Sequence, residues 1–221
     1  MSAIQETIHR LHDELPEGVS LVAVSKFHPA EAIADAYGAG QRLFGESHVQ
    51  ELCAKCPVLP PDIEWHFIGH LQTNKVRQIV GEVDMIESVD SVHLAEEIGK
   101  RAAALGKRMK VLAEINVGGE ESKTGIPWDA AEETVAQIAS IGSLEVCGLM
   151  AIPPFCEKSD DSRAFFSKMK QLFVDIRAKN IDNTNIKVLS MGMSSDYFEA
   201  VQEGATLVRV GTSIFGGRNY R

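Results

Sequence analysis

Two kinds of segment alternate along the chain. Short runs rich in Val, Ile, Leu and Phe are typical of β-strands, and longer segments with apolar residues at helical spacing are typical of amphipathic α-helices. Eight strand-like runs lie at residues 20–25, 42–45, 64–68, 84–88, 110–116, 144–149, 186–190 and 206–210. Helical segments lie between them at residues 29–37, 73–80, 91–105, 128–141, 162–178 and 197–203. The pattern therefore predicts strands and helices in alternation, several helices ending at a glycine.

This order of elements indicates a parallel sheet covered by helices. Runs that are apolar at successive positions, such as Val111-Leu112-Ala113, fit because such a sheet is buried on both faces. Eight strand–helix units in about 200 residues favour an α/β fold of the (β/α)8 TIM barrel type over a doubly wound sheet. A flavodoxin-like or Rossmann sheet is the alternative, but no G-x-G-x-x-G motif follows the first strand.

A further helix is expected before the first strand. Ile4, Ile8, Leu11 and Leu15 recur at helical spacing, and the sequence Pro-Glu-Gly that follows ends the helix. The 221 residues, 44% of them hydrophobic, can bury one substantial core and leave no room for a second large domain. We therefore expect a single TIM-barrel domain over residues 1–221, with an N-terminal helix at 1–18 and the barrel at 19–221.

Charge and hydropathy exclude several classes of partner. The chain has 22 basic and 31 acidic residues and a net charge of -9, which opposes binding to nucleic acid or anionic lipid. No apolar run approaches the roughly 20 residues that a membrane span needs, and the first residues lack the pattern of a secretory signal. We expect a cytoplasmic protein that binds neither nucleic acid nor membrane.

The four cysteines indicate a reduced compartment. Cys53, Cys56, Cys147 and Cys156 are too few for a disulfide scaffold in a chain of this length. Cys53 and Cys56 have redox spacing, but they follow a helical segment instead of opening one. They therefore lack the positive helix end that would lower a thiol pKa, and we interpret them as ordinary thiols.

Lys26 is the first candidate for chemistry. It ends the first strand-like run, and in a closed barrel that strand lies beside the last one, which carries Arg209 and is followed by Gly211-Thr212. Partial burial would lower the pKa of the amine and make it a nucleophile toward a carbonyl. The alternative is a lysine whose amine simply reaches into solvent. An amine, an arginine and a hydroxyl-bearing turn together can hold a phosphorylated aldehyde.

Two turns near the end of the sequence are candidate phosphate sites. Residues 190–196, Ser-Met-Gly-Met-Ser-Ser-Asp, join the seventh strand to a helix, with Asp196 as a candidate N-cap and Glu199 at the capping-box position. Gly211 and Thr212 follow the eighth strand. Loops after strands seven and eight form the common phosphate site of this fold, and we favour that interpretation over helix capping alone.

Arg209 occupies an alternating position in an otherwise apolar strand, where an unpaired guanidinium would be costly. Its partner could be a ligand ring nitrogen, a phosphate or a carboxylate such as Glu46. His66 and His70 have four-residue spacing, but Gly69 lies between them and no helical metal pair is expected. Lys123 lies in a polar, glycine-rich segment that we interpret as a solvated loop.

With these residues located, the chain resembles the pyridoxal-phosphate homeostasis protein family, relatives of the alanine racemase barrel. The matching motifs occur in order along almost the whole chain. They are Val22-Ala23-Val24-Ser25-Lys26, Phe44-Gly45-Glu46, Val49-Gln50-Glu51, Trp65-His66-Phe67-Ile68-Gly69, Leu71-Gln72-Thr73-Asn74-Lys75, Gly148-Leu149-Met150, Ser190-Met191-Gly192-Met193-Ser194, and Val208-Arg209-Val210-Gly211-Thr212 with Ile214-Phe215-Gly216.

The resemblance implies a barrel of the PLP fold type III and a set of roles for pyridoxal 5'-phosphate (PLP). Lys26 is implied to hold PLP as a Schiff base, and Arg209 to face its pyridine nitrogen. The residues implied to surround the phosphate are Ser194, Ser195, Gly211 and Thr212. His66 and Ser47 are further candidates for cofactor contact. Ser47 stands where the family usually has asparagine, and its hydroxyl could still donate one hydrogen bond with shorter reach.

These implications favour binding without turnover. An arginine beside the ring nitrogen keeps that nitrogen unprotonated and weakens the ring as an electron sink. The related racemases, as the resemblance implies, add a second domain with a catalytic tyrosine, for which this chain has no room. We therefore expect a monomer that buffers PLP or delivers it to apoenzymes or free amino acids.

Two enzyme functions remain as alternatives. One is a small PLP-dependent racemase or lyase that uses His66 or Lys123 for a second proton transfer. The other is a phosphosugar isomerase with Glu46 as its base. Whether Lys75 or Lys123 offers a second attachment site for PLP is left open by the sequence.

Overall fold

The computed structural model describes residues 1–120, 123–154 and 162–217. The strands are β1 (Ser20–Val24), β2 (Leu43–Glu46), β3 (Glu64–Phe67), β4 (Met85–Val89), β5 (Met109–Asn116), β6 (Ile126–Pro127), β7 (Leu144–Met150), β8 (Thr184–Met193) and β9 (Leu207–Val210). The helices are α1 (Ala3–Glu14), α2 (Ala30–Gly38), α3 (Val49–Lys55), α4 (Val76–Ile79), α5 (Val92–Ala104), α6 (Ala131–Ala139), α7 (Arg163–Ala178), α8 (Tyr197–Gln202) and α9 (Thr212–Phe215). The predicted N-terminal helix is α1.

The sheet closes into a barrel of eight parallel strands. Its strand order is β4-β3-β2-β1-β9-β8-β7-β5, and β4 also pairs with β5, which completes the ring. β6 is a two-residue strand added to the C-terminal part of β5. Pairing of β1 with β9 sets Val22 opposite Arg209 and Ala23 opposite Val210. The TIM barrel prediction is confirmed, and so is the expectation that the first and last strands are neighbours.

The predicted segments agree with the elements to within a few residues. Each of the eight strand-like runs overlaps one barrel strand, and each of the six helical segments contains a helix. Among the strands, the largest difference is in β8, which continues to Met193 instead of ending at residue 190. The register of β8 against β9 shifts between Ser190 and Met193, so the extra strand length is irregular. Four of the seven residues predicted as a turn, 190–196, are therefore strand.

The core has an outer and an inner part. A large apolar cluster fills the layer between the barrel and its helices, with Phe44, Phe67, Phe166 and Phe173 among its largest fully buried side chains. Inside the barrel, alternate strand residues form two smaller clusters. These are Val22, Val24, Ile68 and Leu207, and Met85, Leu112, Cys147 and Met150. The smaller inner clusters share the barrel interior with buried polar side chains.

Helix α1 is fixed at both its start and its apolar face. Ser2 caps it in a capping box with Gln5, and Ile8 and Leu11 are fully buried. The helix packs against α2 and α9, near the point where β1 and β9 pair. No helix in the described ranges is both long and apolar enough to span a membrane.

Candidate functional site

A cavity of about 510 Å³ opens at the C-terminal ends of the barrel strands. Residues that follow or end β1, β2, β8 and β9 form most of its wall. The lining residues are Val24, Lys26, Ser47, Ile68, Ile152, Met193, Ser194, Ser195, Arg209, Gly211, Thr212 and Ser213. The cavity therefore lies at the face of the barrel where this fold carries its functional groups.

Most of the predicted site residues meet in this one cavity. Those that line it are Lys26, Ser47, Ser194, Ser195, Arg209, Gly211 and Thr212. His66 is not among the lining residues. It lies on β3 two residues before Ile68, at the next inward-facing position below the cavity, and it is buried. Lys75 follows β3 at the end of a short 3-10 turn and does not line the cavity.

Lys26 occupies the turn that begins directly after β1. Its side chain is half-buried, and the residue after it, Phe27, has a φ of 67°, in the left-handed region that non-glycine residues rarely adopt. The rings of Phe27 and His48 lie 4.9 Å apart. An unusual backbone conformation thus adjoins the residue predicted to be reactive.

Glu46 does not pair with Arg209. Its Oε1 accepts hydrogen bonds from Nζ of Lys55 at 2.6 Å and from Oγ of Ser25 at 2.7 Å. Burial raises the pKa of Glu46, and the charge of Lys55 opposes that shift. Glu46 is thus paired with Lys55 and does not line the cavity, so its position supports neither of the two alternatives, a carboxylate partner for Arg209 or an isomerase base.

Arg209 is held by groups inside the barrel. Its Nη2 donates to the backbone oxygen of Ala151 at 2.9 Å, and its Nη1 donates to Oγ of Ser190. Ser190 in turn donates to Oε2 of Glu87 at 2.6 Å. Burial lowers the pKa of Arg209, while the charges of Glu87 and Glu114 oppose the shift. The guanidinium, only 4% exposed, is thereby fixed beneath the cavity.

Glu87 joins Arg209 to His66. Its Oε1 lies 2.6 Å from Nδ1 of His66, and the carboxylate is fully buried. Burial favours the neutral acid, but the hydrogen bond from His66 and the charges of His66 and Arg209 hold the pKa of Glu87 below its usual value. Glu87 was not among the residues predicted from the sequence. The signal that identified Arg209, a charged residue inside an apolar strand, is also present in Met85-Ile86-Glu87-Ser88-Val89.

Glu114 is a second buried carboxylate that sequence analysis missed. It lies near the C-terminal end of β5 and accepts a hydrogen bond from Oγ1 of Thr124 at 2.8 Å. Burial raises its pKa, and the bond from Thr124 opposes this shift. Because its pKa is raised, Glu114 is neutralised by protonation more easily than Glu87, so Glu87 is the more persistent negative charge near Arg209.

The two predicted phosphate turns contact each other. Oγ of Ser194 accepts hydrogen bonds from the backbone N–H groups of Gly211, at 3.1 Å, and Ser213, at 3.4 Å. Asp196 precedes α8 at the N-cap position, but its side chain makes no capping bond and instead accepts from N–H of Met193 at 2.7 Å. The expected capping role of Asp196 is wrong, and the side chain stabilises the preceding turn.

Lys123 and the cysteines lie outside the cavity lining. Nζ of Lys123 pairs with Oε2 of Glu120 at 2.6 Å and donates to the backbone oxygen of Pro153 at 3.1 Å. Cys53 lies inside α3 and Cys56 directly follows it, so the pair ends a helix instead of following one. Burial raises the pKa of Cys56 to about 12, which disfavours a reactive thiolate. Cys156 lies outside the described residues.

Known proteins resemble this chain over nearly its whole length. The chain matches the family model of the alanine racemase N-terminal domain over residues 1–219. It is 40% identical over 224 residues to the pyridoxal phosphate homeostasis protein of Aquifex aeolicus, covering 100% of this chain and 97% of that protein. The human protein of the same name is 41% identical, with 98% of this chain and 83% of the human protein covered. The chain belongs to the pyridoxal phosphate homeostasis protein family.

Solved structures similar to this member of the homeostasis protein family include PipY and an alanine racemase. PipY of Synechococcus elongatus, determined with PLP bound, superposes with a TM-score of 0.89 at 39% identity, covering 96% of this chain and 100% of PipY. Alanine racemase of Corynebacterium glutamicum has a TM-score of 0.79 at 14% identity and is covered over 61% of its length. The second likeness shows the barrel fold alone.

The described residues of this homeostasis protein offer groups that fit a phosphorylated aldehyde. The cavity combines an amine from Lys26, the guanidinium of Arg209 and the hydroxyls of five residues. These hydroxyls belong to Ser47, Ser194, Ser195, Thr212 and Ser213. Within the same ranges, no cluster of three or more His, Cys, Asp or Glu residues suited to a metal was found. The donor set suits an anionic group and a carbonyl.

Proposed function

We propose that this protein binds PLP in the cavity at the barrel mouth and takes part in intracellular PLP homeostasis. The observation that carries the proposal is the meeting of Lys26, Arg209 and the two hydroxyl-bearing turns in one cavity of about 510 Å³. Family membership adds independent support, because similar proteins of this length carry that name and PipY was solved with PLP.

Lys26 is proposed to hold the cofactor as a Schiff base. The amine Nζ adds to the aldehyde carbon, a C=N bond forms, and the carbonyl oxygen leaves as water with the two amine protons. Placement of Lys26 in the turn after β1, half-buried in the cavity wall, supports this role. Because the bond is reversible by water or another amine, it suits storage and transfer.

The turns after β8 and β9 are proposed to hold the phosphate. Ser194, Ser195 and Thr212 offer hydroxyl donors, and Gly211, whose N–H is bonded to Ser194, leaves room beside them because it has no side chain. Arg209 is proposed to face the pyridine nitrogen, since its guanidinium is fixed from below by Ser190 and Ala151. Ser47 is proposed to contact the cofactor from β2. His66 is proposed to act through Glu87 and not by direct contact.

Buffering or delivery of PLP is proposed in preference to catalysis. Besides Lys26, the cavity-lining residues within the described ranges include no carboxylate, imidazole or phenol that could transfer a second proton. His66 is bonded to Glu87, and Lys123 is engaged by Glu120 and Pro153. When bound, the cofactor would supply an electron sink, which Arg209 would weaken by disfavouring a protonated ring nitrogen.

Absorbance and mass spectrometry test this function. We expect the purified protein with PLP to show a visible Schiff-base band, and borohydride reduction followed by peptide mapping to place the cofactor on Lys26. The band should vanish in Lys26→Ala. Attachment elsewhere, or no attachment, would contradict the proposed site. Racemisation or elimination of amino acids at ordinary enzymatic rates, lost in Lys26→Ala, would instead support the PLP-dependent racemase or lyase.

A further inference from the structure

A buried ion cluster lies behind the turn that carries Lys26. The cluster consists of Glu46 at the end of β2 and of Glu51 and Lys55 in α3. The side chains of Glu46 and Lys55 are 0% and 8% exposed. Burial of charged groups costs free energy unless they are fully paired, so this cluster differs from an ordinary surface salt bridge.

Lys55 uses its ammonium group to join three elements. Nζ donates to Oε1 of Glu46 at 2.6 Å, to Oε2 of Glu51 at 2.9 Å and to the backbone oxygen of Ser25 at 3.0 Å. An ammonium has three N–H donors, and the structure gives each of them an acceptor. The third acceptor belongs to the peptide group that joins Ser25 to Lys26.

Glu51 bonds the peptide group on the C-terminal side of Lys26. Its Oε2 accepts a hydrogen bond from the backbone N–H of Phe27 at 2.8 Å. That N–H belongs to the peptide group that joins Lys26 to Phe27. Both peptide groups of Lys26 are therefore bonded to charged side chains of one cluster, one through Lys55 and one through Glu51.

Further contacts reinforce this attachment. Oγ of Ser25 donates to Oε1 of Glu46 at 2.7 Å, and Nδ1 of His48 lies 3.1 Å from Oε1 of Glu51. The φ of 67° at Phe27 is a conformation that a free chain avoids, so it persists only where surrounding groups hold it. The bond from Phe27 to Glu51 is placed to do this.

We propose that Glu51 and Lys55 are positioning residues, which fix the backbone of Lys26 so that its amine is directed into the cavity. This inference rests on the proposed function, because it assigns the cluster a role in the covalent attachment of PLP. Neither residue lines the cavity, so both act through Lys26. Noncovalent binding of the phosphate, which depends on turns after β8 and β9, should be much less sensitive to the cluster.

The variants separate a positioning role from a stabilising one. Glu51→Ala removes the acceptor for Phe27 N–H at a half-buried position, and Glu51→Gln retains an oxygen there. Lys55→Met removes the ammonium. The matched control is Lys107→Met, since Nζ of Lys107 also donates to two backbone oxygens, those of Val80 and Val83, on a part of the fold that does not line the cavity.

Two quantities are measured at saturating PLP on the folded protein. Equilibrium dialysis gives the total PLP bound, and borohydride reduction with intact mass gives the fraction attached covalently. We expect Glu51→Ala to lower the covalent fraction about fivefold at nearly unchanged total binding, because the loss of one charge-assisted hydrogen bond frees the Lys26 turn. Glu51→Gln should recover most of it, and Lys107→Met should match the wild type.

The possible outcomes distinguish failure of the positioning role from failure of the proposed function. An unchanged covalent fraction in Glu51→Ala, with Lys26 modified as in the wild type, would overturn the positioning role and leave the proposed function standing. If the wild type itself carries no PLP on Lys26, both proposals fail. Should Lys55→Met not fold because it leaves Glu46 unpaired, the two Glu51 variants still decide the question.

Discussion

Oε2 of Glu87 lies 3.8 Å from Nη1 of Arg209, and the hydroxyl of Ser190 bridges the two groups. Both charged side chains are almost completely buried. Because His66 donates to the other oxygen of the carboxylate, one glutamate supports both a histidine and an arginine below the cavity. The inner polar groups of the barrel are thus a connected network and not isolated charges.

Removal of the Glu87 charge should destabilise the fold. Glu87→Gln preserves the size of the side chain but leaves Arg209 without its buried counter-charge. We expect the free energy of unfolding, measured by urea denaturation at neutral pH, to fall by about 3 kcal/mol. A loss comparable with that of the exposed control Glu31→Gln would contradict the importance of this pair.

The effect of Glu87→Gln should also depend on pH. The folded state holds the pKa of Glu87 below its unfolded value, so the charge contributes stability that is present above the unfolded pKa and is lost as pH falls through the folded pKa. The difference in unfolding free energy between wild type and variant should therefore shrink in acid. Denaturation curves at neutral and acidic pH would test this, and a difference independent of pH would speak against it.

Glu114→Gln should show the opposite sign. Burial raises the pKa of Glu114, so the wild type carries a penalty once the group is ionised, above its folded pKa. Gln can still accept the hydrogen bond from Thr124. We expect the variant to be more stable than the wild type at neutral pH, with the gain vanishing in acid. Greater stability of the wild type at neutral pH would refute the prediction.

Ser194→Ala should weaken the proposed phosphate site. Its hydroxyl connects the turn after β8 with the backbone N–H groups of Gly211 and Ser213. Loss of this connection, together with one hydroxyl donor in the cavity, should raise the dissociation constant for PLP about tenfold, as measured by fluorescence titration. The exposed Ser140→Ala serves as control. Equal affinity in both variants would exclude Ser194 from the phosphate site.

Gly192→Ala should disturb the same turn by steric means. Gly192 has a φ of 92°, and a Cβ there would lie 2.5 Å from Cβ of Ala200. We expect a loss of about 2 kcal/mol or more in unfolding free energy together with weaker PLP binding. Gly142→Ala, where a Cβ meets no atom within 4 Å, should be nearly neutral. Tolerance of both substitutions would show that the turn can rearrange.

Sequence patterns were sufficient for the barrel but not for its interior. Apolar periodicity placed the strands, because burial on both faces of a parallel strand leaves a clear pattern. It also identified Lys26 and Arg209 as strand-end and strand-interior charges. Glu46 was one of the possible partners of Arg209, but Phe44 and Glu46 both face the helices, as the alternation along Leu43–Glu46 requires.

The hydrogen-bond and charge partners of individual side chains could not be predicted from the sequence. Asp196 stands at a helix start, yet its carboxylate bonds Met193, since an N-cap position does not determine which N–H the side chain meets. Glu87 and Glu114 come close to Arg209 only through closure of the barrel across strands distant in sequence. The cytoplasmic location, the monomeric state and the delivery of PLP to apoenzymes or free amino acids stay predictions.

Pairing of β1 with β9 joins the beginning and the end of the chain, which determines when the pocket can form during synthesis. The amine follows one of these strands and a hydroxyl-bearing turn follows the other, so the complete pocket forms only when segments translated early and late have paired. A nascent or truncated chain should therefore fail to bind PLP. Binding of PLP to the closed barrel should stabilise the pairing of β1 with β9, because a ligand that binds only the folded state shifts the equilibrium toward it.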